Sequence, residues 1–307
     1  MQRRTLLGAG AAATAGLAAW AYRTSPFFWK QFSREVRRPV LPPPLHPNPK
    51  AWADRGLYAA WVGHATVLLK VDGFTILTDP VFSTRVGLGL GPVTLGLKRL
   101  VQPALSLAEL PKIDLLLLSH AHFDHFDLPS LRALEKRETA VITASKTSDL
   151  LRPQRYRGVR ELAWAEEAAV GPVRVRAFQV NHWGARMRSD TYRGYNGYVI
   201  EAGGYRILFG GDTAATHLFR EVKTARPYHL AIMPVGAYNP WIHYHCTPEQ
   251  AWRMANDAGA EFVLPVHQQT FQLSREPLAE PMERLFEAAG AHPDRVAVER
   301  IGQEFRI

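Results

Sequence analysis

The sequence contains one cysteine, Cys246, in 307 residues. A lone thiol forbids an intrachain disulfide, so oxidising and reducing compartments are equally tolerable. It also excludes a zinc cage built from thiolates. Charge of one sign is scarce outside the N-terminus. The formal net charge is +9, but residues 1–40 hold seven arginines and lysines against Glu35 alone, which leaves +3 for residues 41–307. So balanced a body argues against nucleic acid as a partner. A basic arm beside an apolar segment suits an anionic membrane surface. No short-period repeat is visible, and glycine and proline are at ordinary levels, which sets aside solenoid, fibrous and disordered architectures. At 47% hydrophobic, the chain can build one large domain or two small ones.

The N-terminus reads "MQRRTLLGAGAAATAGLAAWAY". Two arginines precede an uncharged small-and-apolar run from 5 to 22. That pattern predicts an export signal or membrane anchor over residues 1–22. Arg3-Arg4 followed by Thr-Leu-Leu resembles a twin-arginine signal, and Ala19-Trp20-Ala21 offers a cleavage site. The expected location is the periplasmic side or the cell envelope, exported or anchored. Residues 23–50 form a basic, proline-rich arm. Its prolines at 39, 42, 43, 44, 47 and 49 favour extended polyproline geometry, either as a stiff spacer or as an arm laid over the domain. The folded body is expected over 51–307.

Within the body, short apolar runs read as strands at 57–62, 66–71, 74–78, 114–119, 140–144, 173–180, 195–202, 205–211, 229–235 and 261–266. Helical patterns fall near 128–136, 214–225, 248–259 and 278–289. Thr247 is a candidate N-cap, Pro248 fits the first helical position and Gly259 a stop. Hairpins early and alternating strands and helices later predict a mixed α/β architecture. The stretch "RVGLGLGPVTLGLKRL", 85–100, reads as a long apolar loop, either tucked onto the core or forming a lip toward substrate or lipid.

"SHAHFDHFD", residues 119–127, holds three histidines and two aspartates. It leaves an apolar strand. Residues two apart in extended chain point the same way, so His120 and His122 can converge on one ion. Asp124 and His125 follow where the chain turns and can aim at a second. Imidazole and carboxylate suit zinc, and also iron or manganese. Three further candidates follow strands elsewhere: His182, Asp212 and His267. The expected division gives one ion to His120, His122 and His182, the other to Asp124, His125 and His267, with Asp212 bridging. Ser119 and Asp127 are expected to be plain loop residues.

"HAHFDH" resembles the His-x-His-x-Asp-His motif of the metallo-β-lactamase superfamily, and His182, Asp212 and His267 match its later ligand motifs in order. The resemblance spans 51–307 and implies a four-layer αββα sandwich with a di-metal site. The segments at 61–83, 103–127, 182–186, 209–213 and 245–251 resemble the branch containing N-acyl-phosphatidylethanolamine-hydrolysing phospholipase D. In that branch a histidine before a Pro-Glu helix lies at the active site, and His245 takes that position.

The resemblance implies a di-zinc phosphodiesterase acting on lipids of that kind. Two ions can share a hydroxide whose parent water has a pKa lowered to about 7. Asp124 and His245 are the expected catalytic residues. His245 is placed to contact a phosphoryl oxygen or the leaving alcohol, and Arg186 to hold a phosphate or to make a structural salt bridge. Asp79 is expected to orient a ligand histidine from behind, and His64 either to do likewise or simply to pack. Cys246 is expected to be a small buried residue. Two other functions remain open: a metal-dependent lactonase or esterase for a small anionic substrate, and a non-enzymatic metal-binding envelope protein.

Overall fold

Four consecutive leucines, Leu115–Leu118, show how the layers arise. Neighbours in a strand face opposite ways. Leu115 and Leu117 join one hydrophobic cluster, and Leu116 and Leu118 another. A strand covered on both faces has no solvent side, so it reads as an unbroken apolar run.

The structure is a computed structural model and describes residues 35, 37–91 and 93–307. The segment expected to be a signal or anchor, 1–22, and the start of the arm lie outside the described residues. Among those described, no helix is long and apolar enough to cross a membrane.

The strand above is β6 of a seven-stranded sheet. Its order is β15 (Glu304–Arg306), β1 (Leu57–Gly63), β2 (Thr66–Val71), β3 (Phe74–Thr78), β6, β7 (Ala140–Ala144) and β8 (Gly158–Leu162). A second sheet runs β14 (Ala260–Val266), β13 (Tyr228–Pro234), β12 (Tyr205–Phe209), β11 (Gly197–Ala202), β10 (Val173–Phe178) and β9 (Glu167–Val170). Their inner faces share one core, in which Trp61, Leu69, Ile76 and Leu117 share a cluster with Val175, Ile207, Ile232 and Leu264.

Helices cover the outer faces. Leu131 of α1 (Leu128–Ala133) lies with Leu68, Leu77, Leu116 and Leu118 outside the first sheet. Phe219 of the short α2 (Leu218–Glu221), Trp252 and Met254 of α3 (Pro248–Ala258), and Met282 and Leu285 of α4 (Glu280–Ala289) lie with Leu208, Ala231 and Met233 outside the second. This is the expected αββα sandwich of α/β class. The α3 ends form as the sequence reads. Thr247 and Gln250 make a capping box, and Gly259 closes the helix at φ 81°. The helix expected over 214–225 contracts to four residues.

The segment 85–100 is not a loop. Arg85–Leu90 (β4) and Val93–Lys98 (β5) pair as an antiparallel hairpin. Val86 is buried with Val81 and Phe271, and Leu97 packs against them with Phe123, while Leu88 is exposed. The described part of the proline-rich arm lies over the domain. Leu41 N donates to Leu100 O and Leu45 N to Ile301 O, and Leu41 forms a parallel bridge with Val101.

Candidate metal centre

The strands β1, β3 and β6 run in one direction within their sheet, as do β10, β12 and β14 in theirs. Every candidate ligand follows the C-terminal end of one of these. His64 comes after β1, Asp79 after β3, and residues 119–125 after β6. His182 follows β10, Asp212 follows β12 and His267 follows β14. The topology thereby gathers side chains that are up to 203 positions apart, from His64 to His267, at one edge of the sandwich.

The backbone there is unusual. His64, Asp79 and His267 have φ of 53°, 31° and 64°. Such angles are uncommon outside glycine and cost roughly 1–2 kcal/mol each. Gly211, before Asp212, has φ 57°, and a Cβ there would stand 2.8 Å from Asn196 O and 3.0 Å from Ser119 Cβ. Only glycine lets this turn approach the histidine loop.

Four overlapping groups of potential ligand atoms result among the described residues, of which two have four members each and share none. His120, His122, His182 and Asp212 form one group, and His64, Asp124, His125 and His267 another, with the ligand atoms of each within 4.8 Å of one another. In the first, His122 Nδ1 lies 2.9 Å from His120 Nε2 and 3.3 Å from His182 Nε2. Asp212 Oδ2 joins the two. It is 3.0 Å from His267 Nε2, 3.1 Å from His125 Nε2, 3.8 Å from His182 Nε2 and 3.9 Å from His120 Nε2. Asp124 Oδ2 stands 3.5 Å from His267 Nε2 and 3.7 Å from His125 Nε2.

The outward nitrogens fix the rings. His125 Nδ1 donates to Asp79 Oδ2 at 2.7 Å and His182 Nδ1 to Tyr244 O at 2.8 Å. His120 Nδ1 donates to Ser119 Oγ at 2.8 Å, and that hydroxyl donates to Asp79 Oδ2 at 2.5 Å. Each bond leaves Nε2 facing the centre, where it offers a lone pair whenever the ring is neutral. His64 Nε2 lies 2.9 Å from Asp124 Oδ2 and holds that carboxylate.

These residues fit divalent cations. His125 Nε2, His267 Nε2 and Asp212 Oδ1 are buried without a hydrogen-bond partner among the described residues. Orphaned buried polar atoms are costly, and here they converge. The donor set is nitrogen and oxygen, without sulfur. Burial holds His120, His122 and His182 below the ordinary histidine pKa, so their lone pairs are free at neutral pH. Burial opposes charge on His267 too, but Asp212 and Asp124 outweigh it and lift its pKa to about 9. His125 is raised in the same way, against the same burial cost. The two aspartates thus favour positive charge at this point.

A prediction follows from those directions. In metal-free protein at pH 7, His125 and His267 hold protons, because their pKa values are raised. A cation must displace those protons, so affinity rises as pH climbs toward about 9. Zinc titrated into metal-free protein at pH 7 is expected to release roughly one to two protons per chain. Calorimetry in two buffers of different ionisation heat measures this; identical heats would refute it.

The remaining expected site residues divide. The His245 ring stacks on His267 at 5.1 Å, with Nδ1 at 3.8 Å from Asp212 Oδ2, and burial lowers its pKa to about 4. Arg186 braces the histidine loop through one of its nitrogens. Its Nη1 donates to Ala121 O at 3.0 Å and Phe126 O at 2.8 Å, and its Cζ sits 4.0 Å from the Phe123 ring centroid. It clamps the histidine loop. Ser119 and Asp127, expected to be plain loop residues, are buried and bonded. Ser119 links Asp79 to His120, and Asp127 Oδ2 accepts from Ser83 Oγ at 2.7 Å and from Ser130 Oγ. Their place at the strand end and before the helix was the only signal in the sequence.

Cys246 is buried, its Sγ donates to Pro234 O at 3.2 Å, and burial pushes its pKa up. Native protein is expected to resist maleimide at pH 7.5 for hours, while urea-unfolded protein reacts within minutes. Mass spectrometry of both samples checks it.

Residues 75–268 match the family model described as a beta-lactamase superfamily domain. An uncharacterised protein of Mycobacterium tuberculosis is 34% identical over 287 residues, which cover 90% of this chain and 76% of that one. The mitochondrial N-acyl-phosphatidylethanolamine-hydrolysing phospholipase D of Saccharomyces cerevisiae is 32% identical over 262 residues, 80% of this chain and 55% of that one. Among solved structures, a possible metal-dependent hydrolase from Veillonella parvula superposes with a TM-score of 0.65 at 17% identity, covering 82% of this chain and 99% of that one.

Proposed function

Because the chain belongs to the metallo-β-lactamase superfamily of hydrolases, we propose that it is a di-zinc phosphodiesterase of phospholipase D type, acting on N-acyl-phosphatidylethanolamine-like lipids. The observation that carries this is the pair of ligand groups meeting at Asp212 Oδ2, with His245 beside them. The yeast relative's activity supports the substrate class. So do exposed side chains on the two loops that carry His182 and His245: Trp183 and Met187 on one, Trp241, Ile242 and Tyr244 on the other. Trp183 stands 4.8 Å from the His122 ring and 5.8 Å from Tyr244. Tryptophan and tyrosine of this kind suit a lipid–water boundary.

His120, His122 and His182 would hold one cation, and Asp124, His125 and His267 the other, with Asp212 between. Bound there, zinc supplies Lewis acidity and makes water nucleophilic at neutral pH. The protein's own groups do the rest. Asp79, Ser119 and Tyr244 O keep the ligand rings in one tautomer. His245, neutral at pH 7 by its lowered pKa, donates a hydrogen bond to a phosphoryl oxygen rather than a proton to the leaving group. Water adds to phosphorus, the bond to the N-acylethanolamine oxygen breaks, the proton shed by the water ends on that oxygen, and phosphatidate remains. A lipid substrate places the protein at a membrane surface, in keeping with the signal or anchor expected at 1–22.

Labelled N-acyl-phosphatidylethanolamine in mixed micelles, given to zinc-loaded protein, is expected to yield N-acylethanolamine and phosphatidate. Release of neither product, with turnover of soluble lactones or esters instead, would move the reading to a hydrolase of small anionic substrates.

A further inference from the structure

Among the described residues three arginines are buried: Arg99, Arg193 and Arg206. Two are paired in the ordinary way. Arg193 donates to Asp190 and, through two nitrogens, to Asp149, at 2.6–2.9 Å. Arg206 Nε donates to Glu201 at 2.8 Å. Arg99 differs. Its Nη2 donates to Val81 O at 2.9 Å, but Nε and Nη1 have no partner, and no described carboxylate lies within 4 Å. A guanidinium keeps its charge in proteins. Burial lowers Arg99 only to about 10, so it is cationic at neutral pH. Asp127 is the carboxylate whose charge Arg99 feels, but it lies beyond ion-pair distance, so two guanidinium nitrogens stay buried without an acceptor, which is costly unless something supplies one.

Arg99 also lines a cleft of about 460 Å³, a size ordinary for small-molecule sites. None of the clustered histidines and aspartates of the metal centre lines it. The walls are mainly apolar. Val40 and Pro43 come from the proline-rich arm, Phe82 from the segment after β3, and Leu105 and Leu107 from the loop before β6. Glu109 at the rim is engaged, accepting from Ser106 at 2.6 and 2.8 Å and facing His46 at 3.0 Å. With Arg99 only 1% exposed, entry requires the arm to yield. The arm is held there by main-chain bonds of Leu41 to Leu100 and Gln102.

We propose that this cleft is a second binding site, for a carboxylate carrying an apolar chain, with the carboxylate on Arg99 and the chain along Val40, Phe82, Leu105 and Leu107. A carboxylate offers two acceptor oxygens to the two unpartnered nitrogens at the lowest added charge, whereas a phosphate dianion would bring a second negative charge into apolar surroundings that Asp127 already biases. The assignment does not depend on the reaction proposed above.

Calorimetry on the zinc-loaded full chain tests it, with octanoate, octanamide and inorganic phosphate as probes. Octanoate is expected to bind saturably, and octanamide and phosphate not to compete with it. Arg99→Gln and Leu107→Glu should each weaken octanoate by at least about tenfold. Leu107 is exposed, so Leu107→Glu carries the test if Arg99→Gln does not fold. Three results would overturn the proposal: no octanoate binding; equal binding by wild type and both variants, which places the carboxylate on the metal centre; or binding of phosphate alone.

Discussion

Asp212→Ala is expected to lose at least about a thousandfold in kcat/KM and to retain fewer cations than the wild type. The size of the effect comes from geometry. Asp212 Oδ2 faces four histidine nitrogens at 3.0, 3.1, 3.8 and 3.9 Å, two from each proposed ion's set. Burial penalises its charge, yet His125 and His267 outweigh that and hold its pKa well below the ordinary carboxylate range. It is therefore ionised at neutral pH. Without it, both sets lose their shared anion, and among the described residues Asp124 is the one remaining carboxylate facing the imidazole nitrogens from within the centre, Asp79 standing behind them. Asp212→Asn keeps the volume and removes the charge, so an equal loss in that variant assigns the effect to charge. Steady-state kinetics with metal analysis of each variant, and circular dichroism to verify folding, measure this. Near-normal turnover with two retained ions would refute it.

Asp79→Ala is expected to weaken cation binding by about 10–100-fold, although Asp79 is not itself placed as a ligand. Its carboxylate accepts from His125 Nδ1 at 2.7 Å, from Ser119 Oγ at 2.5 Å and, through Oδ1, from Ser119 N at 2.7 Å. Through Ser119 it also governs His120, which belongs to the other set. One buried carboxylate thus orients a ring in each half of the centre. Ser119→Ala reaches only the His120 branch, so its effect should be smaller, about tenfold. Stepwise zinc affinities separate the two variants. Asp79→Ala should weaken both steps and Ser119→Ala one. Identical affinities in Asp79→Ala and wild type would remove the orienting role.

Much of this centre is legible in the sequence because strand ends are legible. Apolar runs locate β6, β10, β12 and β14, and the polar residue after each run falls at the same edge. The hairpin at 85–98 was hidden by its glycines. Val86 and Leu88, with Leu95 and Leu97, alternate with period two, but the intervening glycines read as loop. The short β8, β9 and β15 were missed for another reason. They are polar edge or near-edge strands, and "GVREL" and "EAAV" bury too little to leave a clear pattern. Arg186 shows the limit for single side chains. Its sequence neighbours point to the centre, but its Nη1 holds the carbonyls of Ala121 and Phe126. Backbone acceptors leave no trace in a sequence. Tyr244 O, which fixes His182, is invisible for the same reason.

Zinc titrated into metal-free protein while turnover of N-acyl-phosphatidylethanolamine is followed tests the two-cation centre most directly. The shared position of Asp212 predicts that activity climbs to a plateau at two equivalents per chain. Full activity at one equivalent, or activity that persists without any metal, would contradict it.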